Sequence, residues 1–259
     1  MVTESTANES CRSSTISDPN ASRGTIAAIH QPNYIPWLGY FFKIAHSDKF
    51  VFLDNAAYSC GSFINRNSIK TPNGPAWLTI PVLKSGRFGQ LISEVETSNI
   101  EPWARRHLAT LQSNYGRAPY FKEIFGFLEP YYRSATDDRK SLSDFNIQVI
   151  SSIATYLHVN TQFMRASELN VLGHKTELLI NICRVVGATT YLAGTGATSY
   201  QEDDKFESVG ITPLISSFSQ RSYPQLFGGF VGNLSIVDVL MNCGYLGTRR
   251  LLGIESEQG

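Results

Sequence analysis

Residues 26–54, IAAIHQPNYIPWLGYFFKIAHSDKFVFLD, constrain the fold of this chain more than any other stretch. An apolar run, Ile26 to Ile29, breaks at His30-Gln31-Pro32. A turn carrying Tyr34, Pro36, Trp37 and Gly39 follows, then a helix-like stretch from Tyr40 to Ala45. A second apolar run, Phe50 to Leu53, ends in Asp54. Short apolar runs bounded by proline and polar residues read as buried strands, so the unit is strand, loop, helix, strand. In open parallel sheets ligands sit in the crevice beyond the strand carboxyl ends. His30, Gln31 and Asp54 fall at such ends.

The rest of the chain extends this pattern. Tyr58 to Lys70 reads as a loop leading into a short strand, residues 71–75 (TPNGP) as a turn, and Ala76 to Leu83 as an alternating strand. From about 100 to 160 the period is helical. Trp103, His107, Leu108 and Leu111 share one face, Tyr120 to Tyr132 forms a second helix, and Ser143 to Leu157 a third with Ser143 as its N-cap. The α/β pattern then resumes. His174 to Val186 reads as a helix, Thr189 to Ala193 as a strand, Ile211 to Phe218 as strand and loop, and Ser235 to Met241 as a closing helix stopped near Gly244. Residues 1–23 are rich in Ser, Thr, Asn and Glu, cannot bury enough apolar surface to offset their ordering entropy, and are expected to be disordered. The expectation is one α/β domain over 24–250, with a mostly parallel, Rossmann-like central sheet and a helical insert at about 100–160.

Composition narrows the function classes. Lysine plus arginine and aspartate plus glutamate number 22 each, which disfavours broad nucleic-acid binding, since that requires a basic surface. No apolar run approaches the roughly 18 residues of a membrane span, and no apolar signal segment opens the chain. Cys11, Cys60, Cys183 and Cys243 lie far apart, without a CxxC pair, so neither a zinc site nor a disulfide scaffold is expected. A cytoplasmic protein acting on a small molecule fits these constraints.

The candidate chemistry centres on His30, whose imidazole can accept a proton from an amine or hydroxyl nucleophile. Asp54, at the end of the neighbouring strand, can orient that ring or bind a substrate hydroxyl; capping its own turn is the structural alternative. His107, four residues after Trp103 in the helical insert, is a second acid or base, or a buried structural histidine. Arg66, between Asn65 and Asn67 and near Lys70, is a compact anion site suited to a diphosphate. Gln31, Tyr34 and Trp37 join the substrate-binding set, with Trp77 and Trp103 expected in packing. The small-residue loop from Gly194 to Tyr200 shapes a pocket wall. HExxH, GxSxG and GxxxxGK[ST] patterns do not occur, and no metal is argued.

The string His30-Gln31-Pro32-Asn33-Tyr34-Ile35-Pro36-Trp37-Leu38-Gly39-Tyr40 resembles the WbqC-like protein family. Asp48 with Asp54, Asn65-Arg66-Asn67, Lys70, Trp77, Trp103 with His107, Tyr115, Tyr191, Tyr200, Tyr223 with Gln225, and Ser235 with Asp238 extend the likeness to about residue 245. The resemblance implies work in surface-polysaccharide or secondary-metabolite assembly, where sugars and amines are acylated. Ser59-Cys60-Gly61 departs from the family pattern, and a cysteine nucleophile is not expected. A weaker likeness links the opening unit to the HxGH nucleotidyltransferases. Trp37 and Tyr40 stand where those carry histidines, and neither can hold positive charge against a phosphate.

The leading expectation is a transferase moving an acyl or aminoacyl group onto an amine of a sugar or small metabolite. Its donor would be carrier-linked (on a carrier protein or tRNA) or nucleotide-linked. An adenylate-forming ligase or nucleotidyltransferase, and a non-catalytic partner of glycan-assembly enzymes, are the alternatives.

Overall fold

The structure, a computed structural model, describes residues 24–98, 100–135, 141–194 and 202–254. The expected disorder of 1–23 concerns residues outside that set, as do Tyr200 and most of the glycine loop before it.

The first half of the chain runs β1 (Ile26–His30), α1 (Leu38–Ala45), β2 (Lys49–Phe52), β3 (Arg66–Thr71) and β4 (Gly74–Thr79). Three helices follow, α2 (Trp103–Tyr115), α3 (Phe121–Ser134) and α4 (Leu142–Tyr156), as the helical insert. Then come β5 (Gln162–Arg165), α5 (Lys175–Val185), β6 (Thr190–Ala193), α6 (Asp203–Glu207), β7 (Thr212–Ile215) and α7 (Ile236–Leu252).

Five strands form one parallel sheet in the order β5-β2-β1-β6-β7. Its two faces follow from the two-residue period of a strand. Ala28, Phe50, Phe52 and Leu192 pack with α1, α4 and α7 on one side, while Ala27, Ile29, Val51, Tyr191 and Ala193 pack with α5 and α6 on the other. The central sheet is thus the mostly parallel, Rossmann-like one read from the sequence. From β1 the chain steps outward through β2 to β5, then returns to the opposite side of β1 for β6 and β7. That reversal places the topological switch point between β1 and β6.

The hairpin β3–β4 stands apart as a second, antiparallel sheet. One face of it clamps the loop between β1 and α1. Asn67 Nδ2 donates to the carbonyls of Tyr34 at 3.3 Å and Ile35 at 2.8 Å, the Tyr34 N–H donates to the Phe63 carbonyl at 2.9 Å, and Ser235 Oγ also donates to Ile35 at 2.8 Å. Ile35 needs this holding, because its φ of 34° is unfavourable for a β-branched side chain.

Three local expectations change. Strand β5 was not legible: its sequence, QFMR, lacks alternation, and the strand exists because parallel pairing with β2 supplies its partners. Helix α4 is capped by Ser141, whose Oγ accepts from the Asp144 N–H at 3.3 Å, and Ser143 lies inside the first turn. Helix α7 does not stop at Gly244. That residue breaks it with φ 64° and ψ −167°, after which the helix resumes to Leu252. Glycine is required there, since a Cβ would sit 2.5 Å from the Tyr120 ring.

Candidate functional site

His30 is the last residue of β1 and faces α1. Its ring meets Tyr40 edge-on at 4.7 Å, and its Nδ1 lies 3.2 Å from the Gln31 carbonyl, which also accepts from Tyr40 Oη at 2.9 Å. Lys43 follows Tyr40 by three residues, nearly one helical turn, so it shares that face. Its side chain is buried (4% exposed) and reaches back to the sheet, where Nζ donates to the Ile29 carbonyl at 3.2 Å. On the other side of β1, Ala28 pairs with Leu192. The pairing ends there, and beyond it the two strands leave the sheet at His30 and at Ala193. The strand ends at the switch point are thus His30-Gln31 and Ala193-Gly194, with Tyr40 and Lys43 behind His30.

Burial sets the protonation of this group. It lowers the pKa of His30 to about 3, with the nearby Lys43 charge adding to the fall and the hydrogen bond with Gln31 opposing it. Burial alone lowers Lys43 to about 7. No carboxylate among the described residues pairs with Lys43. The result is a neutral imidazole, half-buried at the end of β1, near an amine whose pKa is matched to proton transfer near neutrality. Lys43 escaped the sequence reading. Its one signal was a lone lysine within the apolar helix LGYFFKIA.

Asp54 does not join them. It is fully buried and accepts from Arg165 Nε at 2.8 Å, from the Ser167 N–H at 2.9 Å and from Ser167 Oγ at 2.8 Å. The expected His30–Asp54 pair is replaced by a tie between β2 and β5. The cause is strand order: β5 lies on the outer edge of β2 and presents Arg165 to this carboxylate.

His107 is likewise elsewhere. Its Nδ1 is 2.8 Å from Tyr34 Oη, which is 2.6 Å from Tyr132 Oη, and Trp103 and Phe145 pack around the group. Burial lowers the pKa of His107 to about 4. Tyr34 and His107 are thus joined to each other in the helical core rather than to His30.

The remaining candidates divide. Asn67 is spent on the β1–α1 loop. Lys70 is buried, donating to Gln225 Oε1 at 3.1 Å and to the carbonyls of Gly228 (3.0 Å) and Gly229. Gln225 Nε2 in turn donates to Asp238 at 2.8 Å, and the same carboxylate accepts from Tyr115 Oη at 2.7 Å and Tyr223 Oη at 2.8 Å. Burial raises the Asp238 pKa against the pull of these donors. This saturated network closes the 223–233 loop onto β3. Arg66 lies on the opposite face of the hairpin from Asn67, with its guanidinium 4.5 Å over the Trp77 ring. Trp103 is packed as expected, whereas Trp77 is half exposed. Trp37 is half-buried and meets Phe218 edge-on at 5.5 Å.

Over residues 31–249 the sequence matches the model of the WbqC-like protein family. The chain belongs to this family. It is also 38% identical over 218 residues to the uncharacterized protein Rv1507c of Mycobacterium tuberculosis (strain ATCC 25618 / H37Rv), an alignment covering 84% of this chain and 93% of that protein. No solved structure matches. In this WbqC-like chain the HQPNYIPWLGY string has two structural tasks: it ends β1 at the switch point, and it starts the helix that brings Tyr40 and Lys43 behind His30. Among the described residues no cluster of three or more His, Cys, Asp or Glu side chains could hold a metal ion, and no helix is long and apolar enough to cross a membrane.

Proposed function

We propose that this WbqC-like protein is a transferase of polysaccharide or secondary-metabolite assembly that moves an acyl or aminoacyl group onto an amine of a sugar or small metabolite. The observation that supports it is the uncharged His30 ring near Lys43, an amine lowered to about 7, at the β1/β6 switch point. The acceptor amine would hydrogen-bond to the His30 imidazole, which stays uncharged at neutral pH. Its nitrogen attacks the acyl carbonyl, forming the new C–N bond as the bond to the donor carrier breaks. The amine proton passes to Lys43, the group basic enough to hold it. The carrier-linked or nucleotide-linked donor would lie along Gln31 and Gly194. The small-molecule acceptor would enter beside Trp37.

A retained ligand, found by native mass spectrometry after incubation with cell extract, defines the substrate for assay. His30→Ala and Lys43→Met are each expected to abolish its turnover while the circular dichroism spectrum and the urea-unfolding transition stay cooperative. Wild-type turnover in both variants refutes the reading. The strand order, which resembles that of doubly wound nucleotide-binding sheets, favours an adenylate-forming ligase as a second reading. Calorimetry with ATP and Mg²⁺ separates the two, since only the ligase requires saturable nucleotide binding.

A further inference from the structure

Outside the switch point, the exposed face of the β3–β4 hairpin carries an arrangement that its packing does not explain. Phe63 and Trp77 are 53% and 51% exposed, with ring centroids 5.9 Å apart and planes at 48°. Arg66, cross-strand and diagonal to Trp77, holds its guanidinium 4.5 Å over the indole. The Gly61 turn also closes on that guanidinium: a methyl built on Gly61, which has φ +75°, would lie 3.8 Å from Cζ. Arg66 is therefore positioned by a ring and a turn, and it has neither a carboxylate nor a carbonyl partner among the described residues.

A guanidinium stacked on an indole keeps its in-plane N–H donors available for bidentate grip of a phosphate or carboxylate. The half-exposed rings beside it offer on the order of 200 Å² of apolar surface, far below the roughly 800 Å² per partner of a stable protein interface. The footprint fits one small ring with an attached anion. At 48° to each other, the two aromatic planes cannot both stack on one flat base, whereas the differently oriented C–H edges of a puckered sugar can meet both.

We infer that Arg66, Trp77 and Phe63 form a binding site for a glycosyl phosphate, the sugar resting on the two rings and the phosphate held by the guanidinium. The site is joined to the loop that follows His30 through the Tyr34 N–H bond to the Phe63 carbonyl at 2.9 Å. Its existence does not depend on the transferase reading.

The test follows the Trp77 indole N–H resonance, assigned with Trp77→Phe, as glucose 1-phosphate is added. A saturable shift is expected, with glucose alone and inorganic phosphate alone each binding about tenfold more weakly or worse, since each keeps only one half of the contact. Arg66→Gln is expected to weaken glucose 1-phosphate by about tenfold or more, the loss of a charge-assisted pair. His30→Ala is expected to leave the titration unchanged, which separates this site from the one proposed for catalysis. Three results overturn the inference: no saturable shift, inorganic phosphate or uridine monophosphate binding as tightly as glucose 1-phosphate, or an unaltered titration in Arg66→Gln.

Discussion

Replacing Lys43 with methionine gives the sharpest test of the switch-point chemistry. Burial lowers this amine from 10.5 to about 7, and at 4% exposure little solvent screens it. In the unfolded chain the amine is protonated up to its ordinary pKa; in the folded protein it is neutral above about 7. Between those limits the unfolded state binds one more proton, so stability rises with pH at about 1.4 kcal/mol per unit from this group. Over the whole window the change approaches about 5 kcal/mol. Below about 7 both states are charged and the full destabilisation is present; above 10.5 both are neutral and none remains. Lys43→Met removes the titration and keeps a similar volume. The measurement is urea unfolding of wild type and variant at several pH values between about 7 and 10. Subtraction cancels every other titrating group. Wild-type stability is expected to fall progressively below that of the variant as pH drops toward 7. A pH-independent difference would show that Lys43 is charged in the folded protein, and with it the base assigned to the transfer would be lost.

The buried His107 makes the opposite end of the pH range informative. It stays neutral in the fold down to about 4, while the unfolded chain takes up a proton below 6.5, so stability is lost as pH falls through that interval. His107→Gln is expected to flatten this acid limb in urea titrations. Asp54→Ala leaves Arg165 paired with Asp144 and Ser143 but removes the acceptor of Arg165 Nε and of the Ser167 N–H and Oγ, and should lower unfolding stability by about 2 kcal/mol, the scale of hydrogen bonds to a buried charge. An Asp54→Ala protein as stable as wild type would exclude the tie between β2 and β5. Gly244→Ala forces a Cβ toward the Tyr120 ring from a positive-φ position and is expected to lower the thermal midpoint by several degrees.

Much of the frame was legible because it is written in local periodicity. The runs Ile26–Ile29 and Phe50–Leu53, bounded by proline and polar residues, read as short buried strands and Tyr40 to Ala45 as a helix between them, which the structure starts two residues earlier at Leu38. Gly194 and His30 could be placed at strand ends from sequence alone, and the structure makes those strands adjacent and parallel. Boundaries were harder to read, as Ser141 against Ser143 shows, because two serines with the same capping chemistry stood two residues apart.

The partners of charged groups were not legible. Asp54 could face β1 or the far edge of β2, and nothing local chooses between them. The short strand QFMR, with no alternation to announce it, pairs on that far edge and claims the carboxylate for Arg165. Lys70 and Asp238 lie far apart in sequence and meet only when the 223–233 loop folds over β3. Sequence by itself therefore determined most of the segments that become strands and helices, β5 excepted, and the strand ends at His30 and Gly194, since those depend on spacing along the chain. Tertiary structure alone decided that Lys43 is a buried, weakly basic amine and that Arg66 rests on Trp77. Burial and ion pairing depend on what other segments bring near, and that is fixed only by strand order and packing.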